Sequence, residues 1–298
     1  MKSTVIVIAG PTASGKTSLS IDIAQYFQTE IISADSRQCY KEMTIGTAVP
    51  SLEELARVRH HFIHSHSIHQ PLTAGKYMEQ ARTILAELFQ KNEVVVVTGG
   101  TGLYLKSLLY GIDQLPAVSQ QTREKVKEIF AKEGIEELRN LLQKNDPFYL
   151  EKADQHNPAR LMRATEIILE TGKPYSSFLQ QQTEHQLPYR IISVVIDHER
   201  KVLYDRINQR VDQMIEMGLE EEVRQLLPFK DLTTLHTVGY SEFFDYFDNS
   251  LTLPEAISAI KQHSRNYAKR QLTWFRNQDS YSFYPPKLIK EEIIRQIV

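Results

Sequence analysis

Gly10, Gly15, Lys16 and Thr17 stand at the spacing of a phosphate-binding loop in the run "GPTASGKT", residues 10 to 17. In that pattern backbone N–H groups and a helix N-terminus surround phosphate oxygens. The lysine adds a point charge, and the threonine hydroxyl is a ligand for Mg²⁺. With average glycine usage, the four fixed positions arise by chance on the order of once in a hundred chains of this length. An ordinary glycine-rich turn is the plain alternative, and the strand before the loop and the helix after it weigh against it.

The loop alone does not make the ligand a nucleoside triphosphate. Many P-loop enzymes hold their metal with an acid at the end of a second apolar strand. Here the strand "EVVVVT" runs into Gly99, Gly100, Thr101 and Gly102. Glycines there permit close backbone approach to a ligand, and the missing acid counts against ordinary nucleotide hydrolysis. The nearest strand-end acid is Asp35 in "ADSRQCY", followed by Ser36, Arg37 and Gln38. It reads either as a turn residue bonding its own backbone or as a general base or metal-linked carboxylate beside the phosphates.

Arg206 and Arg210 lie four apart, with Val202, Leu203, Ile207, Val211 and Met214 as the apolar face of the same segment. They form a solvated stripe, or one of them reaches the anion. Lys261, Arg265 and Lys269 make a second basic row, suited to a phosphate backbone or to plain surface. His60, His61, His64, His66 and His69 crowd one stretch, yet no thiolates or HExxH spacing support a zinc site, so packing and hydrogen bonding are the better expectation. The single cysteine, Cys39, reads as packed rather than reactive.

The elements that must hold these residues are legible as apolar runs. "TVIVIA" (4–9), "EIISA" (30–34), "EVVVVT" (93–98) and "RIISVVI" (190–196) suit strands buried on both faces of a parallel sheet. Helical spacing of Leu19, Ile23 and Phe27 makes the first two a βαβ unit. The expected fold is α/β, a P-loop NTPase-like doubly wound parallel sheet. From residue 115 to 188 the strand signals vanish and the text turns helical and polar, so a helical insertion is expected, with residues 1–114 and 189–298 forming the core. Within it, Asn157, Pro158, Gly172 and Pro174 punctuate a helix over 158–171. Thr252 and Glu255 fit a capping box that opens another helix.

Composition is that of a globular enzyme: 298 residues, 41% hydrophobic and 24% charged. Charges nearly balance, with 35 Lys and Arg against 37 Asp and Glu, so an RNA partner must be held by local patches. No apolar run approaches the roughly 18 residues of a membrane span, and the N-terminus enters a strand without signal-peptide anatomy. The expectations are a cytoplasmic location, no membrane contact, and a monomer that requires no protein partner.

Taken in order, "GPTASGKT", "ADSRQCY", "IGTAVP", "GGTGLY", "NPARLMRATEI", "TVGYSEF" and "YAKRQLTWFR" resemble the bacterial tRNA dimethylallyltransferases, over residues 10 to 276. The resemblance implies transfer of a dimethylallyl group from dimethylallyl diphosphate to N6 of the adenosine at tRNA position 37, next to the anticodon, with Mg²⁺. It implies that Asp35 accepts the N6 proton and that Thr101 contacts the reacting base. It implies that Gly10, Pro11, Thr12, Ala13, Ser14, Gly15, Lys16, Thr17 and Arg210 hold the diphosphate, with Thr17 on the metal. Asp35, Ser36, Arg37, Gln38 and Thr101 would receive the flipped adenosine, while Arg123, Arg160 and Arg163 in the insertion would bind the tRNA anticodon stem-loop. Two departures stand out: Cys39 where valine is usual, and "HHFIHSH" where paired histidines usually continue into an apolar residue and an aspartate. No zinc-finger extension of the eukaryotic kind is expected. A small-molecule or nucleoside kinase shares the loop and the core, and a nucleotide-dependent switch is the third class.

Overall fold

The computed structural model describes residues 3–113, 115–179 and 188–297. Met1, Lys2, residue 114, residues 180–187 and Val298 lie outside the described residues, and the expected edges of the insertion fall beside two of these gaps. The chain forms two compact units, residues 1–111 with 187–298, and residues 112–186.

In the first unit the order runs β1 (Thr4–Ala9), α1 (Lys16–Tyr26), β2 (Ile31–Ser33), α2 (Leu52–Arg57), β3 (His60–His61), α3 (Ala74–Phe89), β4 (Val94–Gly99) and α4 (Gly102–Tyr110). The second unit holds α5 (Gln120–Asn145), α6 (Pro147–Lys152) and α7 (Pro158–Thr171). The chain then returns through β5 (Arg190–Ile196), α8 (Arg200–Glu216), α9 (Leu219–Leu226), α10 (Ser241–Phe247), α11 (Leu253–Arg276), β6 (Ser282–Tyr284) and α12 (Pro286–Ile297).

The six strands form one parallel sheet in the order β3-β2-β4-β1-β5-β6. Alternate residues of each strand feed opposite faces: Val5 and Val7 join one buried cluster with Val95 and Val97, whereas Ile6 and Ile8 join another with Val94 and Val96. Both faces are therefore covered, which is the doubly wound architecture expected from continuous apolar strands. The four expected strands are present, and two short edge strands, β3 and β6, extend the sheet beyond them.

Because β1 is the central strand and the chain leaves it first toward β2 and later toward β5, the crevice for ligands opens at the C-terminal ends of β1, β2 and β4. The residues that leave those strand ends are the loop starting at Gly10, Asp35, and the Gly99–Gly102 run.

In the second unit, α5 bends at Gly134, whose φ of 74° and ψ of −164° interrupt the helix. Val126, Leu138, Leu142, Leu150, Leu161, Ala164 and Ile168 form its own buried core. Helix α7 has the expected bounds: the Asn157 side chain accepts the Arg160 N–H at 3.3 Å, Pro158 follows, and Gly172 closes the helix in the left-handed region. The α11 cap also forms, with Glu255 accepting from the Thr252 N–H at 2.8 Å. No described helix is long and apolar enough to cross a membrane.

Candidate active site

The phosphate loop is shaped before any ligand arrives. Gly15 caps α1 at φ 93°, a conformation that favours glycine, and Ala13 also adopts positive φ. Ser14 Oγ is buried with no hydrogen-bond partner among the described residues, although a buried hydroxyl normally has one. A phosphate oxygen would complete it. Lys16 Nζ donates to the Pro11 carbonyl at 2.7 Å, so the cation rests on its own loop.

Helix α8 supplies the arginines. Arg206 Nε donates to the Ala13 carbonyl at 2.7 Å, and Arg210 Nη1 lies 3.5 Å from Thr12 Oγ1. Both therefore face the loop rather than forming a solvated stripe. Ala13 packs with Leu203, Ile207 and Ala268, which fixes the loop against α8 and α11. From the segment between β5 and α8, His198 Nε2 meets the Ser14 carbonyl at 2.8 Å.

This corner is cationic. Burial lowers the Lys16 ammonium to about 8, with Asp35 pulling it up and Arg210 pressing it further down. Burial also lowers Arg210, followed by the repulsion of Arg206. Between pH 8 and the ordinary 10.5, the unfolded chain binds more protons at Lys16 than the native one, so this group's contribution to the unliganded protein's stability rises with pH across that window. Binding a diphosphate has the opposite sign, because the anion favours the charged ammonium. We expect affinity for a diphosphate to weaken above pH 8 as the ammonium is lost, by up to about tenfold per unit. Calorimetry at pH 8.5 in buffers of different ionisation enthalpy should register proton uptake in the wild type and none in Lys16→Met.

Asp35 makes the turn bonds that the sequence suggested and stands near the cationic loop. Its Oδ1 accepts the Arg37 N–H at 2.9 Å and the Gln38 N–H at 3.2 Å, a local turn, and Oδ2 has no hydrogen-bond partner among the described residues. Its charge also acts on Lys16 and Arg210, which places it beside the loop. Thr101 opens α4, where its Oγ1 accepts the Ser36 N–H at 3.0 Å and lies 3.2 Å from Ser36 Oγ. The Arg37 guanidinium donates to the Thr234 carbonyl at 2.8 Å, and Gln38 Nε2 donates to Thr47 and Ala48 carbonyls at 3.1 and 2.9 Å. These two side chains brace the segment that carries Asp35. Arg123 and Arg160 are exposed on the second unit, and Arg163 pairs with Glu166 at 3.1 Å.

The glycines at the end of β4 and just after it are required by packing inside the protein. A Cβ on Gly99 would strike the Ala34 carbonyl, one on Gly100 the Gln271 amide, and one on Gly102 the Trp274 ring. The histidines each take separate partners, such as Glu30 for His61 at 2.6 Å and Thr44 for His64 at 3.2 Å. No group of three or more His, Cys, Asp or Glu among the described residues could hold a metal. Lys261 and Arg265 pair with Asp212 and Asn208 of α8 at 2.5 and 2.6 Å, so two members of that basic row tie helices together. Cys39 is fully buried, and burial pushes its thiol up to about 12, which leaves it unreactive.

Residues of the "YAKRQLTWFR" motif, given no individual role by the sequence, reach the site. Tyr267, Gln271 and Trp274 stand at i, i+4 and i+7 on α11 and all meet the Thr101 loop. Their helical spacing is the signal that places them on one face. Glu222 was missed: its carboxylate accepts the N–H groups of Thr44, Ile45 and Gly46 at 3.0, 2.7 and 3.0 Å and the Tyr240 hydroxyl at 2.6 Å.

The arrangement joins an anion cradle to an acid–hydroxyl pair at the C-terminal ends of β1, β2 and β4, and the chain is similar over nearly all its length to known proteins. The family model described as IPP transferase matches residues 38–278. A tRNA dimethylallyltransferase of Christiangramia forsetii is 48% identical over 284 residues, covering 95% of this chain and 94% of that protein. The crystal structure of the full-length tRNA isopentenylpyrophosphate transferase of Bacillus halodurans superposes with a TM-score of 0.73 at 34% identity, covering 99% and 96% of the two chains. A eukaryotic dimethylallyltransferase, solved acting on tRNA, gives 0.74 at 27% identity over 91% of this chain and 69% of that one. With a family model that spans most of the sequence and a relative at this identity over nearly all of it, the chain belongs to the IPP transferase family.

Proposed function

We propose that this protein transfers the dimethylallyl group of dimethylallyl diphosphate to N6 of the adenosine at tRNA position 37. The observation that carries the reading is the meeting of Asp35 and the Lys16–Arg210 cations at one sheet edge. An exocyclic adenine amine is a weak nucleophile, because its lone pair is delocalised into the ring. As the N6–C bond forms and the C–O bond to diphosphate breaks, the amine must lose a proton and the leaving group gains charge. Asp35 Oδ2 takes the proton, while Lys16, Arg210 and the loop N–H groups receive the diphosphate. Thr101 orients the base. The adenosine leaves the anticodon-loop stack to reach this edge.

Mg²⁺ fits the donors present. A hydroxyl at Thr17 without a carboxylate cage suits an ion that takes most of its oxygens from water and substrate phosphates. When bound, it would neutralise diphosphate charge. Relatives named for tRNA prenylation and the absence of an acid after β4 both favour transfer over the kinase alternative.

The test incubates the protein with radiolabelled dimethylallyl diphosphate, Mg²⁺ and unmodified tRNA bearing adenosine at position 37. Label should enter the RNA and require it; label-free RNA sinks the reading. Arg160 is exposed on α7 and pairs with no acid at salt-bridge distance among the described residues. Arg160→Ala should weaken tRNA binding severalfold and flatten the dependence of log affinity on log salt by about one unit, as measured by filter binding.

A further inference from the structure

We propose that Gln271 is a positioning residue that sets the separation between the diphosphate loop and Thr101, an inference that rests on the transferase reading. Gln271 projects from α11, 7% exposed, into the gap between two loops. Its Oε1 accepts the Thr12 N–H at 2.9 Å, and its Nε2 donates to the Gly100 carbonyl at 3.0 Å. One partner is an obligate donor and the other an obligate acceptor, so the amide can sit only one way round. Thr12 belongs to the loop after β1, and Gly100 immediately precedes Thr101 after β4. One planar side chain thus splices the cradle of the leaving group to the residue assigned to the nucleophilic base.

The neighbours are arranged around that splice. The space a Cβ on Gly100 would need is already taken by the Gln271 amide. One turn earlier on α11, Tyr267 lies beside the Thr101 side chain, and three residues later Trp274 fills the space over Gly102. The Thr12 N–H is committed to Gln271, and both polar atoms of the Gln271 amide are taken by the two loops. Its effect on catalysis has to pass through geometry. In-line displacement is sensitive to the approach distance of nucleophile and electrophile, and a displacement of about 1 Å costs on the order of a hundredfold in rate.

The experiment compares wild type, Gln271→Met and Gln271→Glu, measuring kcat, KM for each substrate and melting temperature. Gln271→Met fills the same volume but bonds neither loop, so kcat should fall about a hundredfold while both KM values stay within about threefold. In Gln271→Glu, a protonated carboxyl accepts from Thr12 and donates to Gly100 as the amide does, whereas the carboxylate repels the Gly100 carbonyl. The ratio of its kcat to the wild-type kcat should therefore rise about tenfold or more from pH 8.5 to pH 6. Arg210 on α8, Lys16 in the loop, Asp35 after β2 and Tyr267 on α11 are present in both proteins, so their titrations largely divide out.

A kcat within threefold of wild type in Gln271→Met, or a flat ratio across pH in Gln271→Glu, overturns the inference. The second variant carries the test alone if the first does not fold. A wild type that transfers no label removes the transferase reading and this inference with it, whereas an active wild type with indifferent variants removes only the inference.

Discussion

Asp35→Asn should lower kcat by about a thousandfold, within the range that general-base residues contribute, while tRNA affinity changes less than about threefold. The choice of asparagine follows from the two jobs of this side chain. Oδ1 holds the Arg37 and Gln38 N–H groups, and an amide oxygen can continue to do so. What the substitution removes is the proton-accepting capacity of the other oxygen. Asp35→Ala removes both and should also loosen the segment whose Gln38 side chain reaches Thr47 and Ala48. Single-turnover transfer with saturating tRNA separates the two effects. A normal rate in Asp35→Asn would take Asp35 out of the proton transfer and leave it a turn residue.

Lys16→Met should reduce kcat/KM for dimethylallyl diphosphate by about two to three orders of magnitude and leave tRNA binding unchanged. The methionine keeps the stem that packs in the loop, so the loss is that of the charge. In the unliganded protein the ammonium is held by Pro11 O at 2.7 Å, and its proton is weakened by burial and by Arg210. A diphosphate relieves both penalties at once, and charge developing on the leaving oxygen relieves them further, so the effect should appear in kcat as well as KM. A loss under tenfold would mean that Arg210 and the loop N–H groups suffice.

Most of the sheet was readable because its long strands are continuous apolar runs, from "TVIVIA" to "RIISVVI". The edge strands β3 and β6 were not, since two and three residues are too few to establish any period, and β3 is a pair of histidines. Helix α7 was legible at both ends because its caps are local chemistry between residues three or four apart. The loop and Asp35 were legible for the same reason: each motif carries its own geometry. Gln271 was not, because Thr12 lies 259 residues away in sequence and nothing near either residue announces the other. The ties that Lys261 and Arg265 of the α11 basic row make to Asp212 and Asn208 were hidden for the same reason, since those acceptors belong to a helix some fifty residues earlier.

Gly99 and Ala34 touch backbone to backbone, with no room for even a methyl group between them. Asp35 follows Ala34 directly, and the Thr101 N–H donates to the Ala34 carbonyl at 3.2 Å, so the spacing of the two residues is tied to the sheet. Loosening of loops elsewhere on the molecule should leave that spacing unchanged. Warming the protein should then erode substrate capture well before it erodes the proton-transfer geometry.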